Sequence, residues 1–140
     1  MTLEQRTIQE LQELGMVADR VDGYLGPKRS HDWLGFVDVL AFRPEHPRMM
    51  AVQVTSRTNI SARVRKILDD HHEVAAALVQ SGHQLEVWGW DHPKRGLWRI
   101  RRIGFVLVER DSNGRGNGGR VLRAQSIEQG DKIVGERLLH

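Results

Sequence analysis

The sequence predicts an α/β domain with a mixed central β-sheet flanked by helices, and three observations predict it. Residues 35–42 and 49–56 are two apolar runs either side of a turn, 43–48, that contains Pro44 and Pro47. Each run has the length and the Val, Phe and Leu content of a strand covered on both faces. Between residues 60 and 80, Ile60, Val64, Ile67, Leu68, Ala75 and Leu78 recur at helical spacing, with His71 in the same stripe. That stripe is a helix face packed on a sheet. Residues 84–90 and 97–108 then carry the alternation of two further strands. The expected order is one helix, three strands, one helix, two strands.

The first helix is expected over 2–14. Thr2 caps it, with Gln5 three residues later completing a capping box. Leu3, Ile8, Leu11 and Leu14 form the apolar stripe, Glu4, Glu10 and Glu13 lie along the helix, and Gly15 ends it. Residues 16–25 read as a short strand. A basic loop with Lys28 and Arg29 follows. His31 reads as a surface side chain, and Asp32, six residues before Asp38, as lying outside any pocket built on Asp38.

After residue 56, Arg57 and Thr58 lead to Asn59, the expected cap of a single helix over 60–80 that stops at Ser81-Gly82. Arg63, Lys66 and Asp70 run along one edge of its apolar stripe, with Arg65 on the far side. His71 and His72 are adjacent, so on a helix they diverge by about 100° and do not readily share one ion; they read as structural. Residues 91–96 read as a turn. In the strand over 97–108, Arg99, Arg101 and Arg102 interleave with Trp98, Ile100, Ile103 and Phe105. This pattern suits stacking of bases and neutralisation of phosphates, and equally an edge strand with a solvated basic face. From residue 111 the composition turns to Gly and Asn, a linker signature. The expected division is a core domain over 1–110 and a linker and tail over 111–140. The apolar pieces at 121–122 and 133–134 leave three options: a hairpin, docking on a partner subunit, or a mobile end.

Of the 140 residues, 39% are hydrophobic and 28% charged, ordinary for one globular domain. The net charge is only +3, but clustered arginines suit a nucleic-acid partner. The absence of cysteine excludes disulfides and thiolate zinc sites. The N-terminal residues are polar and no apolar run reaches membrane-spanning length, so the expected location is the cytoplasm.

The chemistry is expected where the apolar strands are interrupted. Asp38 stands inside the first run. Gln53 and Thr55 stand in the second, two residues apart and therefore on one face. A lone carboxylate in a buried strand is costly unless it is paired or binds a metal.

An Asp near the end of a Gly-containing segment, a hairpin, and then a strand with polar residues at i and i+2 resembles the PD-(D/E)XK nuclease superfamily, over residues 1–108. The resemblance implies a restriction-endonuclease-like sheet of core order αβββαββ. It also implies a metal-dependent DNA endonuclease, resolvase-like or phage-like, that uses Mg²⁺ or Mn²⁺. Asp38 matches the motif Asp, and Gln53-Val54-Thr55 falls where the family has Glu-x-Lys. Asp38 and Gln53 are the implied metal ligands, with the Val54 carbonyl as a third and Glu4 of the first helix completing the site. Thr55 carries no charge, so Lys66 on the following helix is the implied substitute for the motif Lys, with Arg63 clamping a phosphate beside it. Lys28, Arg29 and Arg57 complete the implied nucleic-acid contacts. The implied partners are DNA and, for cutting both strands, a second copy of the chain. The alternative is a nuclease fold that has lost catalysis and only binds nucleic acid; a third option is an unrelated small α/β domain.

Overall fold

The computed structural model of the chain describes residues 1–24, 30–109, 119–130 and 132–139. It is an α/β fold: three helices and one mixed sheet of seven strands, with a separate two-stranded ribbon. Helix α1 (Leu3–Glu13) precedes β1 (Val17–Arg20), the ribbon strands β2 (Gly23–Tyr24) and β3 (Ser30–His31), then β4 (Val39–Phe42) and β5 (Met49–Ser56). A 3₁₀ turn (Arg57–Asn59) opens α2 (Ile60–Asp70), and α3 (His72–Gln80) follows. Four strands close the chain: β6 (Gln84–Lys94), β7 (Leu97–Glu109), β8 (Arg120–Ser126) and β9 (Ile133–Leu139).

The sheet runs β1-β4-β5-β6-β7-β8-β9, and every neighbouring pair is antiparallel except β5–β6. A parallel pair requires a long crossover, and α2 with α3 supplies it. These two helices cover one face through Ile60, Val64, Ile67 and Ala75, packed on Ala51 and Val87. Helix α1 covers the other face, where Leu11 packs with Val39, Val52, Trp88 and Trp90. Strand β5 is thus buried on both sides. Alternation sends Ala51, Gln53 and Thr55 toward α2 and α3, and Val52 and Val54 toward α1.

The capping box expected at Thr2 forms: its N–H donates to Gln5 Oε1 (2.8 Å) and its hydroxyl accepts from the Gln5 N–H (3.1 Å). Such a cap contributes about 1 kcal/mol. At the other end, Arg43 Nη1 donates to the Leu14 carbonyl at 2.6 Å. Between them, the Trp90 indole donates to the Thr7 hydroxyl at 2.8 Å, which fixes α1 on β6.

Several expectations change in detail. The helix over 60–80 is two helices, because the chain breaks at His71 (φ −129°), whose ring packs 5.0 Å from Phe36. Asn59 makes no side-chain cap, since the 3₁₀ turn takes up the helix entrance. The strand over 84–90 extends to Lys94, with Pro93 at a register shift where no ladder donor is needed. Strand β7 is not an edge strand, because β8 pairs along its second half. Strands β8 and β9 pair as the hairpin option, and they do not stand apart as a tail. Leu122 and Ala124 are fully buried in the same core as Phe36 and Ile67, so the sheet has more strands than expected and crosses the expected boundary at 110.

An ion pair with a buried carboxylate and a partly exposed guanidinium braces the middle of the sheet. Arg102 of β7 donates to both carboxylate oxygens of Glu86 on β6, at 2.7 and 2.9 Å, and the Trp88 indole donates to Glu86 Oε1 at 2.9 Å. Glu86 therefore has three donors in a place where an unpaired carboxylate would be costly. No helix among the described residues is long and apolar enough to cross a membrane.

Candidate functional site

Asp38 lies where the chain enters β4. Its N–H donates to the Val52 carbonyl (2.9 Å), and its Oδ2 accepts from the Val54 N–H (2.8 Å). It thus grips the two backbone groups either side of Gln53. Asp38 is only 6% exposed, Gln53 3% and Thr55 6%. Burial, helped by the charges of Asp32, Asp22 and Glu4, raises the Asp38 carboxyl to about 7, against the Val54 hydrogen bond, which lowers it.

Two further carboxylates meet it. Asp22, Asp32 and Asp38 each bring an oxygen to within 4.8 Å of the others. Asp22 arrives because Val21 continues the β1–β4 pairing by one bond, its N–H donating to the Asp38 carbonyl at 2.9 Å. Asp32 arrives because the chain reverses at once. Trp33 and Val37 form an antiparallel bridge around a tight turn in which Leu34 (φ 57°) and Gly35 (φ 84°) both take positive φ. That backbone is the type I′ turn, whose second central position favours Gly. Gly35 is required for a second reason: a Cβ there would lie 2.9 Å from the His71 ring. The break between α2 and α3 is therefore seated directly on the turn that sets Asp32 and Asp38. Leu34, a bulky residue at positive φ, carries strain of the kind held at functional sites.

The Gln53 side-chain oxygen is buried and has no hydrogen-bond partner. An unmade bond to a buried oxygen costs about 1–3 kcal/mol. A cation beside Asp38 would satisfy it, and oxygen-only ligands are what Mg²⁺ and Mn²⁺ prefer. The donor set fits a hard divalent cation: the Asp38 carboxylate, the Gln53 amide oxygen, and the carboxylates of Asp32 and Asp22. The Asp22 carboxylate is shared with Arg20, whose guanidinium donates to both its oxygens at 2.9 and 3.2 Å.

The structure thus brings Asp38, Gln53 and Thr55 together and adds Asp22 and Asp32. The expectation that Asp32 lies outside the pocket fails, because the 33–37 turn folds it back. Asp22 was legible only through the pairing of β1 with β4. Glu4 stands in the first turn of α1 and is not one of the three clustered carboxylates; its charge still acts on Asp38. Lys66 is exposed on α2 and has no ion pair among the described residues, Asp70 included. Arg65 lines a groove beside Val134 and Gly135 of β9; Arg63 and Lys66 are on the opposite flank of α2. Arg57 reaches Asp91 at 3.3 Å. Lys28 and Arg29 lie outside the described residues.

No protein-family model matches the chain, and no curated protein or solved structure is detectably similar to it.

Proposed function

We propose that the chain is a divalent-metal-dependent endonuclease that hydrolyses phosphodiester bonds in DNA, with Asp38 at the centre of its metal site. The observation that carries the reading is the buried Asp38 carboxylate beside an unpartnered buried Gln53 oxygen, with two more carboxylates converging. Structural clusters of this kind normally satisfy their polar atoms internally. The element succession from α1 through β1, β4, β5 and the two crossover helices to β6 and β7 supports a restriction-endonuclease-like core, and it agrees with the resemblance carried by Asp38 and Gln53-Val54-Thr55.

In this reading Asp38, Gln53 and Asp32 hold Mg²⁺ or Mn²⁺. The ion would polarise a phosphate oxygen and lower the pKa of a bound water. The protein residues do the rest. The Val54 N–H holds Asp38 in one orientation, and burial keeps bulk water from competing for it. Asp22 shares its charge between the cluster and Arg20. Thr55 gives the pocket a hydroxyl but no charge, so positive charge near the attacked phosphate must come from Lys66, from Arg63, or from the ion. A second reading, a fold that binds DNA without cutting it, draws its support from that same uncharged Thr55.

One experiment separates the two. Supercoiled plasmid, linear duplex and branched DNA are incubated with the protein in Mg²⁺, Mn²⁺ or EDTA. Nicks that need the metal and vanish in Asp38→Asn support the nuclease. Binding without nicks in either metal refutes it in favour of the second reading.

A further inference from the structure

The β6–β7 hairpin reaches past the end of the sheet beside the Asp38 site. Strand β6 pairs with β5 as far as Ser56↔Trp90 and then runs on to Lys94. Four more residues at strand rise carry it about 13 Å beyond β5. This is also the end of the sheet at which Asp38 enters β4, since β4 and β5 are antiparallel.

The two faces of this hairpin differ. On the α1 face, the Trp98 indole lies between two partners. The His92 ring stacks on it at 4.1 Å and 11°, and the Arg6 guanidinium of α1 sits 3.8 Å from its centre. Both ring faces are occupied, so Trp98 is no free platform for a base; it anchors the hairpin to α1. Cation–π and stacking contacts of this kind fix an exposed strand pair that would otherwise fray.

The other face is the one that Gln53 and Thr55 share. The registers Thr55↔Gly89 and Gly89↔Arg101 set Thr55, Gly89 and Arg101 in one row across three strands. Gly89 carries no side chain, and the Arg57 Cα passes 3.2 Å from where its Cβ would stand. One step outward, Asp91 faces Arg99 and accepts from it at 2.6 Å and from Arg57 at 3.3 Å. Arg101 has a buried Nε with no partner. From Asp91 to Arg101 the chain bears Lys94, Arg95, Arg99 and Arg101 against Asp91 alone, a net +3 that equals the +3 of the whole chain.

We propose that this hairpin is a DNA-backbone wing: Arg101, Arg99 and Arg57 take phosphates of the strand that lies at the Asp38 site, Lys94 and Arg95 take phosphates further along the duplex, and the Arg6–Trp98–His92 stack holds the wing rigid. The inference rests on the nuclease reading for its choice of DNA. Asp91 orders two guanidiniums without covering them, since Arg57 and Arg99 keep 42% and 51% of their side chains exposed. Guanidiniums held in this way lose little freedom on meeting a phosphate, and they can take it bidentately.

The test is the salt dependence of duplex binding by the full chain. A fluorescent 20-base-pair duplex is titrated by anisotropy in EDTA from 50 to 300 mM KCl. Removing one phosphate-binding side chain flattens the plot of log K against log salt by about 0.9. Arg99→Gln/Arg101→Gln should therefore flatten the slope by about 1.8, as should the exposed pair Lys94→Gln/Arg95→Gln at the hairpin tip, which leaves the rest of the sheet untouched. Arg123→Gln on β8, far from the wing and paired with Glu136, should leave the slope unchanged. Wild-type slopes in both double variants overturn the wing and leave the nuclease reading standing. Flattened slopes in a protein that never nicks DNA support the wing and sink the nuclease reading. A wild-type chain with no salt-dependent duplex binding overturns both.

Discussion

Replacing Asp38 by Asn should make the protein more stable at neutral pH while removing its metal site. Burial raises the Asp38 carboxyl from an ordinary 3.8 to about 7. The folded state therefore holds this proton more tightly than the unfolded chain does. Stability from it is full below about pH 4, declines as pH rises toward 7, and levels off above, where both states are ionised. At about 1.4 kcal/mol per pH unit, a rise of that size corresponds to about 4 kcal/mol in all, and about 3 kcal/mol of it falls between pH 5 and pH 8. Asn keeps the shape and can accept the Val54 N–H bond, yet it has no proton to lose. Urea unfolding in EDTA, followed by fluorescence of the buried Trp88, gives the comparison. Wild type should lose about 3 kcal/mol relative to Asp38→Asn over that window, and Mn²⁺ should restore wild type only. Parallel stability curves for the two proteins from pH 5 to 8 would refute the reasoning, because the carboxylate would then be solvated or permanently paired.

Gln53→Glu should raise Mn²⁺ affinity, measured by calorimetry, because it adds a fourth carboxylate to the cluster; weaker binding in a folded protein would mean that the amide nitrogen has a role of its own. Lys66→Ala should lower the nicking rate by roughly two orders of magnitude, as for loss of one charge-stabilising donor, with little change in duplex affinity. An unchanged rate would end Lys66 as the substitute for the motif lysine. Truncation after residue 110 should unfold the chain, since it removes the buried Leu122 and Ala124 and uncovers the second half of β7; a cooperative thermal transition in the fragment would contradict this.

Helix α1 and strands β5, β6 and β7 were legible because their apolar periods are strong, whereas the run over 35–42 is a strand only from Val39 and the β2–β3 ribbon was not foreseen. Residues 49–56 read as a doubly covered strand and are one. The second half of the chain was less legible. Val121-Leu122 and Ile133-Val134 are short, follow a Gly-rich segment, and become strands only because β7 offers β8 a partner and β8 in turn offers one to β9; pairing across the sheet is not written in either segment alone. The same applies to the helix break. His71 fits the apolar stripe of one long helix, and only its contact with Phe36 and Gly35 shows why the chain turns there. At the site, Asp38, Gln53 and Thr55 betrayed themselves by being polar in apolar strands. Asp22 and Asp32 did not, since both sit in loops where a carboxylate is commonplace. Their convergence depends on the positive-φ turn at Leu34-Gly35 and on how β1 continues toward Val21.

The Glu86–Arg102 pair has a consequence for the alignment of β6 with β7. Both strands are long, and a slide of two residues would preserve which side chains face which layer, so burial alone does not forbid it. A slide that set Arg102 opposite Trp90 would part it from Glu86 and leave the buried carboxylate with only the Trp88 indole, which travels on the same strand. The pair therefore acts as a latch on the strand alignment, and at the far end of the same two strands that alignment is what sets Arg99 opposite Asp91. Replacing Glu86 and Arg102 together by apolar residues would remove this latch and leave the alignment to the Arg95-Gly96 turn and to packing on the two faces.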